Sequence, residues 1–276
     1  MTAKILDVTP DEYHQLPGFS ASLAKELIER SPLHAWQKHP LYGAKEKKPT
    51  KEMDFGQVGH TLVLGKGKRF AVLDVEDYKT KDARALRDAA RKSGSVPIKR
   101  AEHDRALKMA EQVTAKLADR GLKLTGTSEL AIEWTEESAF GPVLCRGMMD
   151  HVFDDQGVVI DLKLVGSASQ ASIERSAENF GYAIQEAAYR SALTKLKPEL
   201  AGRIDFLFAF CETDEPYAVN LTRGDGMFRE LGERRWRRAV ETWAECVAAN
   251  NWPGYGSGVN PLSAPAWAFS REEFAA

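Results

Sequence analysis

Two charged residues, Asp161 and Lys163, interrupt the apolar run Val158-Val159-Ile160-Asp161-Leu162-Lys163-Leu164-Val165. In a strand, period-two geometry puts both on one face and Ile160, Leu162 and Leu164 on the other. Burying an Asp and a Lys is costly unless they pair with each other or an ion sits beside them. Either a structural ion pair at a sheet edge or a metal site would answer that cost. Upstream, Asp150 closes Arg146-Gly147-Met148-Met149-Asp150. A hairpin through residues 155–157 brings it close to Asp161. Two adjacent carboxylates repel unless a divalent cation lies between them. Their hard oxygens favour Mg²⁺ or Mn²⁺. A lysine two residues on could orient a water and stabilise charge on a phosphate, so the chemistry would be metal-assisted hydrolysis.

The D-x-K pattern is cheap by itself. Asp77-Tyr78-Lys79 repeats it, and Glu46-Lys47-Lys48 is an E-x-K. Neither has an apolar strand around it, so both are expected to face solvent.

The elements that must position Asp150, Asp161 and Lys163 are legible in outline. Ser20 is an N-cap for a helix over 21–30, and Ser31-Pro32 starts a second short one. Lys45–Lys51 reads as an exposed loop. Phe55, Val58, Leu62 and Val63 fall at helical spacing, which predicts a helix over 54–64 closed by Gly65. Residues 78–94 are charged and weakly apolar, either an exposed helix or a flexible DNA-contacting segment. A helix follows over 101–120. Strands are expected over 129–135, 143–153 and 158–165, the last two joined by a turn at Asp154-Asp155-Gln156-Gly157. One long helix should run over 169–196. A strand over 204–211, a hairpin partner over 217–221, a helix over 225–249 and an irregular tail complete the chain. Helices, three strands, a helix, two strands and a helix make an α/β or α+β core with an N-terminal helical elaboration. The whole of 1–276 is read as one domain: elaboration to about residue 53, core over about 54–250, tail over 251–276.

Composition sets bounds. The chain has 276 residues, 43% hydrophobic and 28% charged, which is an ordinary globular balance. No apolar run is long enough to span a bilayer. The start MTAKILDVTPDEYHQ lacks a signal-peptide pattern, and a cytoplasmic location is expected. Cys145, Cys211 and Cys246 are dispersed and odd in number, so they are expected to be buried apolar residues rather than a disulfide framework or cluster ligands. The net charge of −2 suggests no polyanion partner, but its distribution does. Lys45, Lys47, Lys48 and Lys51 cluster, as do Lys66, Lys68 and Arg69; Arg234, Arg235, Arg237 and Arg238 bracket Trp236. From Lys79 to Lys108 ten basic residues face four acidic ones. Such clusters grip phosphates or simply solvate helix faces.

In this order, the motifs resemble the PD-(D/E)XK nuclease superfamily, with Asp150 as its acidic residue and Asp161-Leu162-Lys163 as its D-x-K element. Phe55-Gly56-Gln57-Val58-Gly59-His60 is similar to the helix motif of the RecB-like and RecE-like branches. Glu129 resembles an acidic residue that those branches carry on the preceding strand. Gln185 and Tyr189 match the Q-x-x-x-Y element, with Tyr182 on the same helix face. Tyr13-His14, the Ser20–Pro32 region and Trp252-Pro253-Gly254-Tyr255 look like the RecE-type exonucleases, exodeoxyribonuclease VIII and its phage-encoded relatives. The proline of the superfamily's name is absent, since Met149 and Ile160 precede the two aspartates.

The resemblance implies a restriction-endonuclease-like core, a central mixed sheet flanked by helices. It implies Mg²⁺, with Mn²⁺ as a substitute, held by His60, Asp150, Asp161 and the Leu162 carbonyl. Lys163, Asp161, Asp150, Glu129 and Gln185 would be catalytic, and Gln185, Tyr189 and Tyr182 would touch DNA. The implied activity is 5′→3′ hydrolysis from double-stranded DNA ends, leaving 3′ single strands for recombination. The implied partners are a RecT-like single-strand annealing protein and further copies of the chain, with no membrane. A structure-specific or restriction-type endonuclease, or a catalytically dead DNA-binding module, are the alternatives. Dispersed cysteines argue against the iron–sulfur branch.

Overall fold

A computed structural model describes residues 3–44, 49–153, 156–259, 261–265 and 268. The Lys45–Lys48 part of the first basic cluster, the second decoy and half of the Asp154–Gly157 turn lie outside the described residues.

A six-stranded mixed sheet runs in the order β1-β4-β5-β6-β7-β8. Its strands are β1 (Ala3–Leu6), β4 (Thr127–Glu136), β5 (Val143–Phe153), β6 (Val158–Val165), β7 (Asp205–Glu212) and β8 (Val219–Arg223). Every junction is antiparallel except β6–β7, which is parallel. The connection that makes it parallel carries α7 (Gln170–Phe180) and α8 (Tyr182–Leu196), as a crossover must. The mixed α/β architecture expected from the element order is present.

Alternation along β7 divides the core. Phe206, Phe208 and Phe210 join a cluster with Trp134, Trp236 and Trp243, covered by α2 (Ala21–Glu29), α8 and α9 (Gly226–Ala249). Ala209 and Cys211 join the other, with Ile160, Leu162, Val58 and Met109, covered by α4 (Lys51–Leu64) and α6 (Arg100–Ala118). All three cysteines are buried and unpaired, as expected. No helix among the described residues is long and apolar enough to cross a membrane.

Local signals account for several boundaries. Ser20 accepts from Leu23 N–H and opens α2, and Pro32 begins α3 (Pro32–Lys38). Thr50 caps α4, which ends at Gly65 in the left-handed region. Asp225 accepts from Phe228 N–H at the start of α9.

Three features differ from the sequence reading. The N-terminal stretch, besides α1 (Pro10–Gln15), α2 and α3, contributes β1, which extends the sheet against β4. Strands β2 (Phe70–Leu73) and β3 (Val96–Lys99) form a separate parallel pair flanking α5 (Lys81–Lys92). The charged 78–94 segment therefore folds as a helix, and Arg91 clamps it to α4 through a forked bond to Asp54 (3.3 and 2.6 Å). The expected helix over 169–196 is two helices, because Gly181 (φ +69°) ends α7 and begins α8. Residues 251–259 of the tail are irregular, as expected, and anchored: Trp252 packs on Trp243 and Tyr42, and the Pro253 carbonyl accepts from Leu33 N–H.

Candidate active site

The site lies where β5 parts from β6 and its ladder with β4 is interrupted. Its ladder with β6 runs through Phe153↔Val158, Val152↔Val159 and His151↔Ile160, then stops. The next pair in register would be Asp150 with Asp161. Instead the Asp150 carboxylate accepts from the Leu162 N–H (2.7 Å). On the other side, β4 pairs Ser128↔His151 and Leu130↔Met149 but skips Glu129, which would face Asp150. Glu129 has φ +52°, a conformation that costs a non-glycine residue roughly 1–3 kcal/mol and concentrates at functional sites. Three carboxylates thus converge on one interruption in the sheet.

From above comes α4. A Cβ on Gly59 would lie 2.7 Å from Leu164 Cδ1, so the helix packs closely on the Leu164 side chain of β6. The next residue, His60, points Nδ1 at Asp150 Oδ2 (3.6 Å). Ligand atoms of His60, Glu129 and Asp150 lie within 4.8 Å of one another, which defines a candidate metal-binding cluster. An imidazole and two carboxylates fit a divalent cation that accepts hard oxygen ligands.

Asp161 stands beside that cluster. It is 1% exposed and ion-paired with Lys163. Gln185 of α8 spans the pair: its Nε2 donates to Asp161 Oδ1 (2.7 Å) and its Oε1 accepts from Lys163 Nζ (3.1 Å). The Lys163 ammonium also lies 4.6 Å from the centre of the Tyr182 ring. The sequence-expected residues therefore meet, with one difference: Glu129, rather than Asp161, completes the compact set with His60 and Asp150. The Leu162 peptide sits beside Asp150 through its N–H.

The electrostatics are those of unneutralised carboxylates. Burial, and then the neighbouring Asp150 charge, push Glu129 up to about 7. Burial raises Asp161 to about 6 against the pull of Lys163. Burial opposes the Lys163 charge, but Asp161 and Asp150 outweigh it and hold the lysine above its ordinary value, so it stays cationic. A cation placed among these groups would reverse the first two shifts.

Tyr189 departs from its expected DNA contact. It is buried, its hydroxyl donates to the Met148 carbonyl (2.9 Å), and its ring fills the space a Cβ on Gly147 would occupy. It holds α8 on β5 and is only 8% exposed. The solvent-facing decoy behaves as expected: exposed Asp77 and Lys79 pair with each other (3.0 Å). In the Arg234–Arg238 cluster, Trp236 is buried, while Arg234 pairs with Glu230 and Arg235 with Glu178. The backbone strain at Glu129 had no sequence signal, since a glutamate in Thr127-Ser128-Glu129-Leu130 reads as ordinary strand.

Residues 20–263 match the model of the PDDEXK-like domain of unknown function, DUF3799, and the chain belongs to that family. No curated protein matches the chain in sequence. Its fold is shared with a protein described as "Putative exonuclease" from Eubacterium rectale, at TM-score 0.61 and 13% identity over 96% of this chain and 98% of that one. A phage related exonuclease from Haemophilus somnus 129PT aligns over 84% of this chain and 96% of that one at 10% identity, with a TM-score of 0.36 that is too low to bear on the fold.

Proposed function

We propose that this protein is a metal-dependent deoxyribonuclease that hydrolyses phosphodiesters from the ends of double-stranded DNA, running 5′→3′ and leaving 3′ single strands for recombination. The observation that carries the reading is the convergence of His60, Glu129 and Asp150 beside the Asp161–Lys163 pair, in the fork where β5 leaves β6. Membership of a PDDEXK-like family supports nuclease chemistry on that site. The description of the Eubacterium rectale protein favours the exonuclease form, and polarity rests on the resemblance in the motifs.

His60, Glu129 and Asp150 would hold Mg²⁺, or Mn²⁺ in its place, with Asp161 and the Leu162 carbonyl as further oxygen donors. When bound, the cation supplies positive charge to the transition state and acidifies a water. Lys163, kept cationic and fixed by Gln185, offers its ammonium to the non-bridging oxygens of the scissile phosphate or to the attacking water. Gln185 locks the Asp161–Lys163 spacing, so little reorganisation is needed at reaction. DNA ends, a RecT-like annealing protein and further copies of the chain are the proposed partners.

The test is a linear duplex labelled at either the 5′ or the 3′ end, incubated with Mg²⁺, Mn²⁺ or EDTA beside a covalently closed circle. Stepwise loss of the 5′ label in metal, with the circle intact, is expected. Early loss of the 3′ label reverses the polarity, and cutting of the circle makes the enzyme an endonuclease.

A further inference from the structure

We propose that Phe180, stacked on Tyr182, is a platform for the unpaired terminal nucleobase next to the phosphate at Lys163. The inference rests on the nuclease reading above and names a contact that reading lacks. Phe180 ends α7 and is 62% exposed. Its ring stacks on Tyr182, centroids 5.9 Å apart and planes 21° apart. Tyr182 in turn stacks on Phe208 (5.6 Å) and carries the Lys163 ammonium 4.6 Å from its own ring centre. Tyr182 therefore links a core ring, the lysine and an aromatic ring open to solvent.

The backbone makes this stack possible. Phe180 and Tyr182 are two residues apart, a spacing at which helix side chains do not meet. Gly181, at φ +69°, turns the chain sharply between them. A Cβ there would also press on the Lys25 side chain at 3.2 Å. The kink thus brings the two rings together and leaves the outer one uncovered.

A lone exposed phenylalanine is ordinary on any surface. This one is preorganised by stacking, sits one ring out from the lysine assigned to the scissile phosphate, and offers only an apolar face. Such a face suits any base equally, as a nuclease acting on ends of arbitrary sequence requires. A base inside a duplex has both faces covered by its neighbours and a paired terminal base has only its outer face free, whereas a frayed or single-stranded terminal base can turn either face onto the ring and is the proposed ligand.

The test uses linear duplexes carrying 2-aminopurine in a short single-stranded end or in the duplex interior, with a dye on the far end. Anisotropy of the dye reports binding; 2-aminopurine fluorescence reports stacking. Ca²⁺ replaces Mg²⁺ in one arm and EDTA in another, to hold off cleavage. The expected result is quenching of the terminal base only. Phe180→Ala removes that quenching and weakens binding about 5- to 100-fold, whereas Phe180→Trp keeps both. Equal quenching by Phe180→Ala, or bound DNA with a bright terminal base, overturns the inference and leaves the nuclease reading standing. No DNA binding by the wild type in either arm overturns both.

Discussion

Of the three glutamates on strand β4, Glu129 and Glu136 lie near its two ends, and the protein treats these two in opposite ways. Glu136 is saturated with donors. It accepts from the indole N–H groups of Trp134 (2.8 Å) and Trp236 (3.1 Å), from Ser191, and from the Lys195 ammonium. Burial alone would raise its pKa, yet these bonds hold it below the ordinary carboxylate range. Glu129 has a strained backbone and another carboxylate for a neighbour, and is pushed up to about 7. One carboxylate is finished as structure; the other is left short of positive charge. Buried acidic residues mark a site where their partners are missing, and mark architecture where they are not.

Four outcomes would break or sharpen that contrast. The largest is in catalysis. Asp161→Asn should lower DNA cleavage by about 10³-fold or more, measured as initial rate on a linear duplex, because it removes the buried charge that pairs with Lys163 beside the cluster. Full activity in that variant would remove Asp161 from the chemistry.

The next is in stability. Glu136→Gln should destabilise the fold by about 2–4 kcal/mol in chemical denaturation, since it leaves the Lys195 charge and buried donors poorly matched. Cleavage per folded molecule should be unchanged.

The same substitution on the same strand should then reverse sign. Glu129→Gln, in EDTA, should stabilise by about 0.5–1 kcal/mol by removing repulsion with Asp150. It should also cut the gain in melting temperature that Mn²⁺ gives the wild type. Destabilisation by Glu129→Gln would mean that its carboxylate is structural after all.

The last is a pH effect away from the site. Glu186 on α8 is 1% exposed; Arg190 (3.6 Å) and Arg229 (3.9 Å) lie just beyond hydrogen-bond reach. Burial raises it to about 7, against the pull of those arginines and with Asp205 and Glu233 adding to the rise. The folded state therefore holds the proton more tightly than the unfolded chain, and stability is lost as pH rises from about 4.5 towards 7. Glu186→Gln should match the wild type near pH 4 and exceed it by about 1–3 kcal/mol near pH 8. An unchanged difference across that range would show that Glu186 does not titrate there.

Much of the site could be read before the fold. Asp150, Asp161 and Lys163 stand out because charges interrupt otherwise apolar strands, and a short hairpin must bring the strands together. His60 and Gln185 were found only by resemblance to a family pattern, since a lone helical histidine or glutamine carries no local signal. Three features lay beyond reach for physical reasons. Four-residue strands such as β2 and β3 hold too little alternation to register. The break at Gly181 is masked because helical spacing continues on both sides of it. Glu129 differs from other strand glutamates only in its backbone angle, which the tertiary structure imposes. Tyr189 shows the opposite error: the motif was recognised, but a tyrosine in it fills a groove over Gly147 rather than facing a ligand.

On the proposed reading, the unfinished carboxylates take a divalent cation and the finished one does not. Calorimetric titration of Mn²⁺ into the wild type, Asp150→Asn and Glu136→Gln tests it directly. Saturable binding in the wild type and in Glu136→Gln, abolished in Asp150→Asn, is the predicted result. Undiminished binding in Asp150→Asn, or none in the wild type, would contradict it.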